Sequence, residues 1–210
     1  MDALRAWSRN RFWQERFSLV LAGLGLVFYI LHAVNLAHYT TSFLDEGLYT
    51  YKGWLFVTGR YQFFQEYGLW TNQMPLSFLI PGYVQKWFGP GLAAARYAMI
   101  FFALLTLAGL WVLTKRWAGT WWAAGVIWAM ALNPAEVKIL TLAIAQGLIA
   151  CMLTWSLVLT VGLRRPLWQV CLGAALAGVM ILTRVNLAFV LPLLLVYIFW
   201  QHGKTAGLFA

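Results

Sequence analysis

Charge is what this chain has least of. Asp, Glu, Lys and Arg make up 10% of its 210 residues, where soluble domains carry roughly 25%. Only 6 residues are acidic. So few charges exclude a solvated surface of ordinary size. Cysteine is nearly absent too. Cys151 and Cys171 both lie in apolar runs, which excludes a disulfide scaffold or a Cys-rich zinc module. The 3 histidines are equally bland. His32 and His38 do not have the i, i+4 spacing of a helical metal pair. The chain has no Walker loop, dinucleotide fingerprint or internal repeat, so an inverted-repeat transporter gains no support. There is no cleavable signal peptide either. A basic stretch over residues 1–16 precedes an apolar run too long for a signal h-region, so that run reads as an uncleaved anchor.

What is present is apolar. The chain is 62% hydrophobic, with 13 Trp and 9 Tyr, and its mean hydropathy is +0.73. Runs of about 20 apolar residues, enough to cross a bilayer, recur along it. Trp and Tyr suit the two membrane interfaces. Six spans are expected, each helical because lipid offers no partner to backbone polar groups: Phe17–Ala37, Leu92–Leu113, Trp121–Leu132, Ile139–Leu163, Leu167–Leu182 and Leu187–Trp200. The fold class is all-α, a single polytopic membrane domain over residues 1–210.

Net charge is +9, but the basic residues sit between apolar runs. They fit topology and lipid headgroups rather than nucleic acid. Arg5, Arg9, Arg11, Arg16, the pairs Lys115-Arg116 and Arg164-Arg165, and Lys204 fall on one side. Lys52, Arg60, Lys86, Arg96, Lys138 and Arg184 fall on the other. The positive-inside rule puts the N-terminus in the cytoplasm. Four of the six acids, Asp45, Glu46, Glu66 and Glu136, then lie outside.

The long outer segment, residues 38–91, is the one region with room for a site. Spacing allows an interface helix over Glu46–Thr58, ended by Gly59, and a second from Pro75 through Trp87 with Pro81 bending it. Asp45-Glu46 stands at the start of the first. A carboxylate there can accept a proton from an incoming hydroxyl, or hold a divalent cation that carries a phosphate. Ser42-Phe43-Leu44-Asp45 also fits a capping pattern, and acids favour a helix N-terminus. Arg184 is a candidate phosphate ligand that also reads as an arginine snorkelling to the interface. For Arg60 and Lys52 a solvated face is the simpler reading. Gln146 and Asn186 are polar groups in apolar surroundings, where helix–helix hydrogen bonding accounts for them as well.

The run Asp45-Glu46-Gly47-Leu48-Tyr49, then Gly53-Trp54, Gly59-Arg60-Tyr61 and Asn72-Gln73-Met74-Pro75-Leu76, resembles the first outer loop of the GT-C-fold glycosyltransferases. These use polyprenyl-phosphate-sugar donors and include the protein mannosyltransferase-like and aminoarabinose transferase-like enzymes. Gly178-Val179-Met180-Ile181-Leu182-Thr183-Arg184 looks like the Gly-x-x-x-Leu-Thr-Arg/Lys ending of a family helix. The resemblance covers nearly the whole chain in order. It implies sugar transfer from a polyprenyl-phosphate donor to a lipid, glycan or protein acceptor on the non-cytoplasmic face, in a bacterial inner membrane. Asp45 would be the base, with Glu46 supporting the acceptor or a metal. Arg184, Arg60, Gln146 and Asn72 would bind substrate, and a divalent cation is a candidate cofactor. Family loops often place a basic residue before the proline and an acid near the fourth span. Here those places hold Gln73-Met74 and Gln146. Family members are longer, so the resemblance implies an N-terminal part. The rival reading is a carrier, flippase or assembly subunit without chemistry of its own.

Overall fold

The structure, a computed structural model, describes the backbone of residues 2–42, 44–66, 74–163 and 165–210, and their side chains except those of residues 2–12 and 44. It is all helical, with no strand among the described residues. Helix α1 (Asp2–Tyr39) leads into two shorter helices, α2 (Leu44–Val57) and α3 (Pro75–Phe88). Helix α4 (Leu92–Ala118) then runs the length of the bundle. After it come α5 (Thr120–Leu132), α6 (Pro134–Thr141), α7 (Ala145–Thr160), α8 (Leu167–Met180) and α9 (Val190–Phe209).

The chain has the helices of a membrane protein. The segments Trp13–Tyr39, Leu92–Ala118 and Val185–Phe209 are each long and apolar enough to cross a bilayer, and α5 with α6 makes a fourth if counted as one bent span. Six spans are expected from the sequence, and two of the apolar helices are short for one. At 16 residues, α7 is about 24 Å long, and 14-residue α8 is shorter still, against a hydrocarbon core of roughly 30 Å. The fourth expected span is also divided. Ile139 belongs to α6, and the chain breaks at residues 142–144 before α7 starts. Asn133 and Pro134 explain the bend of 77° between α5 and α6. The Asn133 side chain accepts from the amides of Ala135 and Glu136 and so starts a new helix. Pro134 sits at that helix's first position, where its missing amide is not needed.

Helices α4 and α7 run side by side in the same direction. Trp155 Nε1 donates to the Leu105 carbonyl at 3.0 Å, and Thr154 packs where Gly109 has no side chain. Tyr29, Ala33, Ile100, Ala103, Leu107, Ile127 and Val137 form the larger core. A second core joins Val170, Ala174 and Ala177 of α8 to Leu194 and Ile198 of α9. Gly203, at φ 87°, turns the end of α9 back so that Gly207 lies against Phe199.

The two short helices form as expected. Gly59 stands at φ 76° just past α2, and Pro75 opens α3 with Pro81 inside it. They cross with backbones touching. A Cβ on Gly53 would run into the Phe78 carbonyl, and one on Gly82 into the Gly53 carbonyl. Gln85 secures the crossing by donating to the carbonyls of Thr50 and Pro81, at 2.8 and 3.1 Å. We expect Gly53→Ala or Gly82→Ala to destabilise the protein by about 1–3 kcal/mol through overpacking. Gly23→Ala, with nothing within 4 Å of the new methyl, should be neutral or slightly stabilising. Thermal unfolding in detergent checks both.

Candidate functional site

The acid pair is divided by the helix it starts. Neighbours on a helix point about 100° apart, so only one of Asp45 and Glu46 can face the core. Glu46 does, with no exposed surface, while Asp45 is exposed. Arg96, itself 1% exposed, meets Glu46 in a two-pronged ion pair. Its Nε donates to Oε1 at 2.8 Å and its Nη2 to Oε2 at 2.7 Å. The remaining guanidinium donors reach the carbonyls of Ala37, Thr40 and Thr41 at 3.0, 2.8 and 3.2 Å, at the end of α1. Glu46 Oε1 also accepts from the Ala143 amide at 2.8 Å, inside the break between α6 and α7. So engaged, Glu46 fastens the scaffold, where the resemblance has it supporting the acceptor or a metal.

Asp45 faces another group. Tyr49, one turn on, is half-buried. Burial pushes its phenol pKa up; the charge of Arg184 draws it down and that of Asp45 raises it further. The turn that carries Arg184 is tied to the start of α3 through the backbone. The Leu76 amide donates to the Leu182 carbonyl at 2.9 Å, fastening the start of α3 to the turn after α8. In that turn Thr183 is buried, its Oγ1 donating to the Met180 carbonyl at 2.5 Å, and Arg184 is exposed. Two motifs far apart in sequence, Pro75-Leu76 and Leu182-Thr183-Arg184, thus meet.

The other candidates are placed differently. Arg60 is exposed beyond the far end of α2, roughly 20 Å from Asp45 at 1.5 Å per residue. Gln146 is in the first turn of α7, half-buried, its buried Oε1 without a hydrogen-bond partner among the described residues. It lies three residues beyond Ala143, on the scaffold side. Asn72 lies outside the described residues. Among the described residues no three His, Cys, Asp or Glu side chains gather to hold a metal ion. Of Asp45 and Glu46, the two carboxylates considered for a divalent cation, Glu46 is engaged by Arg96 and Asp45 is exposed. An apolar groove of about 840 Å³ lies between α3 and α4, and none of Asp45, Tyr49 and Arg184 lines it.

Lys52 departs from the solvated-face reading. It is 1% exposed, with Nζ 4.8 Å from the Tyr61 ring centre and 4.7 Å from that of Phe78, a cation–π arrangement. Sequence reasoning missed Tyr49 and the pairing of Glu46 with Arg96. A basic residue next to an apolar run needs a partner once buried, and Glu46 was the acid at hand. No family model, curated protein or solved structure matches the chain.

Two outcomes follow. Removing one partner of the buried pair, by Glu46→Gln or Arg96→Met, should cost about 3–5 kcal/mol, while the double change Glu46→Leu/Arg96→Met restores much of it. Unfolding in detergent by denaturant reads this. Burial also lowers the Lys52 pKa below its usual 10.5. Between the folded value and 10.5 the unfolded chain holds more protons, so stability from this group rises with pH through that window. Lys52→Met should abolish that rise in a melting-temperature series against pH.

Proposed function

We propose that the chain is an integral membrane glycosyltransferase that takes a sugar from a polyprenyl-phosphate donor. What supports this reading is an exposed carboxylate, Asp45, at the start of α2, and an exposed guanidinium, Arg184, in the turn that the Leu76–Leu182 hydrogen bond fastens to α3. Transfer of a glycosyl group from a phosphate needs these two charges. The acceptor hydroxyl gives its proton to an Asp45 carboxylate oxygen as its own oxygen attacks the anomeric carbon. The bond from that carbon to the phosphate oxygen breaks, and the leaving polyprenyl phosphate keeps the electron pair. Arg184 balances the negative charge that remains, through a two-pronged contact suited to phosphate. No covalent sugar–protein intermediate is required and no step passes through a metal. The resemblance of the Asp45–Leu76 stretch to the GT-C-type loop supports the same reading. It also suggests a non-cytoplasmic site in a bacterial inner membrane with the N-terminus in the cytoplasm. The acceptor class, lipid, glycan or protein, stays open within this proposal.

Membranes holding the full chain, given radiolabelled polyprenyl-phosphate hexose and pentose donors, test it. Wild type should transfer label. Asp45→Asn should lose about 10²–10⁴-fold in rate while melting at an unchanged temperature. Arg184→Gln should also slow transfer, whereas Arg60→Gln should leave it near wild type. Transfer by Asp45→Asn at the wild-type rate would refute the role of Asp45. Absence of transfer by wild type with every donor, alongside lipid movement across vesicles, would favour a carrier or flippase.

A further inference from the structure

Helices α4 and α7 both start near the Glu46–Arg96 pair and end at the opposite pole of the bundle. Between their last turns lies an apolar cleft of about 360 Å³, lined by Leu113, Thr114, Trp117 and Ala118 of α4, with Leu157 of α7 and Val161 just beyond it. Two arginines stand at its rim. Arg116 Nη1 donates to the Val158 carbonyl at 2.6 Å. Arg165 donates through Nε and Nη2 to the Val161 carbonyl at 3.2 and 3.0 Å. They are close enough for the charge of Arg165 to act on Arg116. Each guanidinium has five donors, so most remain for a ligand. Among the described residues neither arginine is paired with a carboxylate. Among the described side chains the acid at this pole is Glu15, which lines a separate crevice with Lys115 and Thr120. Two like charges held together over an apolar cleft, at the end of a helix long enough to cross the membrane, call for an anion with an apolar tail. Basic pockets between membrane helices take anionic lipid headgroups for this reason.

We propose that this cleft holds an acyl chain of an anionic phospholipid whose phosphate is clasped between Arg116 and Arg165. The occupant is a bilayer lipid; free phosphate would leave the apolar cleft unfilled. Trp117, which lines the cleft and is exposed, offers a direct probe. The full chain is reconstituted in vesicles of phosphatidylcholine containing a minor share of brominated phosphatidylglycerol or brominated phosphatidylcholine. Quenching of its fluorescence is compared with that of Trp117→Phe, so that the difference reports on Trp117 alone. The Trp117 signal should be quenched preferentially by the anionic lipid. The preference should be roughly 30-fold, as two basic residues near an anionic surface provide, and should shrink in 1 M salt as screening shortens to about 3 Å. Arg116→Gln/Arg165→Gln should abolish the preference, and Arg116→Lys/Arg165→Lys should retain most of it. Lys204→Gln should leave it unchanged. Equal quenching of wild type by the two lipids overturns the proposal without reference to any variant. So does a preference that survives the double Gln change or is unaffected by salt.

Discussion

One buried ion pair organises the end of the bundle that carries the candidate site. Arg96 and Glu46 are both shielded from water and face each other through two parallel hydrogen bonds. Neither ion is left short of partners. The end of α1 supplies three carbonyls to the guanidinium, and the break before α7 supplies an amide to the carboxylate. Desolvating two charges is offset only when the surroundings satisfy them in this way. The result is that α1, α2, α4 and the α6–α7 junction share a single fastening point. Apolar packing alone, which is non-directional, would set no such register.

That fastening determines which acid stays exposed. With Glu46 drawn inward, helical geometry turns Asp45 outward. The Leu76–Leu182 hydrogen bond and the Gly53–Gly82 crossing hold α2 and α3 against the turn that ends in Arg184. The elements that carry Asp45 and Arg184 are thereby linked by backbone contacts rather than by long, flexible side chains. At the opposite pole α4 and α7 end with arginines set over an apolar cleft. Both poles follow from the same pair of parallel helices, one fixed by an internal charge pair and the other bearing two arginines that pair with no carboxylate among the described residues.

Much of the fold was legible in the sequence because its signals are local. Apolar length and sparse charge mark an all-helical membrane domain. Gly59, Pro75 and Pro81 mark the ends and the interior of the two short helices, and α2 and α3 fall where those residues put them. The span count was less legible. Asn133-Pro134 carries a helix start inside an apolar stretch, and the break at Ala143 depends on a carboxylate 97 residues away in sequence. The candidate site was legible in composition and not in partnership. Asp45 and Arg184 stood out as scarce charges at run ends and are both exposed, but Glu46 looked like a twin of Asp45. Its role depends on Arg96, at a separation of 50 residues, which local pattern does not encode. Lys52 was misjudged for a related reason, since the rings of Tyr61 and Phe78 that cover it are brought together only by tertiary packing.

The central claim is that two adjacent carboxylates have opposite fates, one buried and structural, one exposed and available. Carbodiimide labelling of carboxylates in the intact membrane-embedded protein, read by peptide mass spectrometry, addresses it without any substitution. The structure predicts rapid modification of Asp45, with Glu46 protected until the protein is denatured. Modification of both at equal rates in the folded protein would contradict the account.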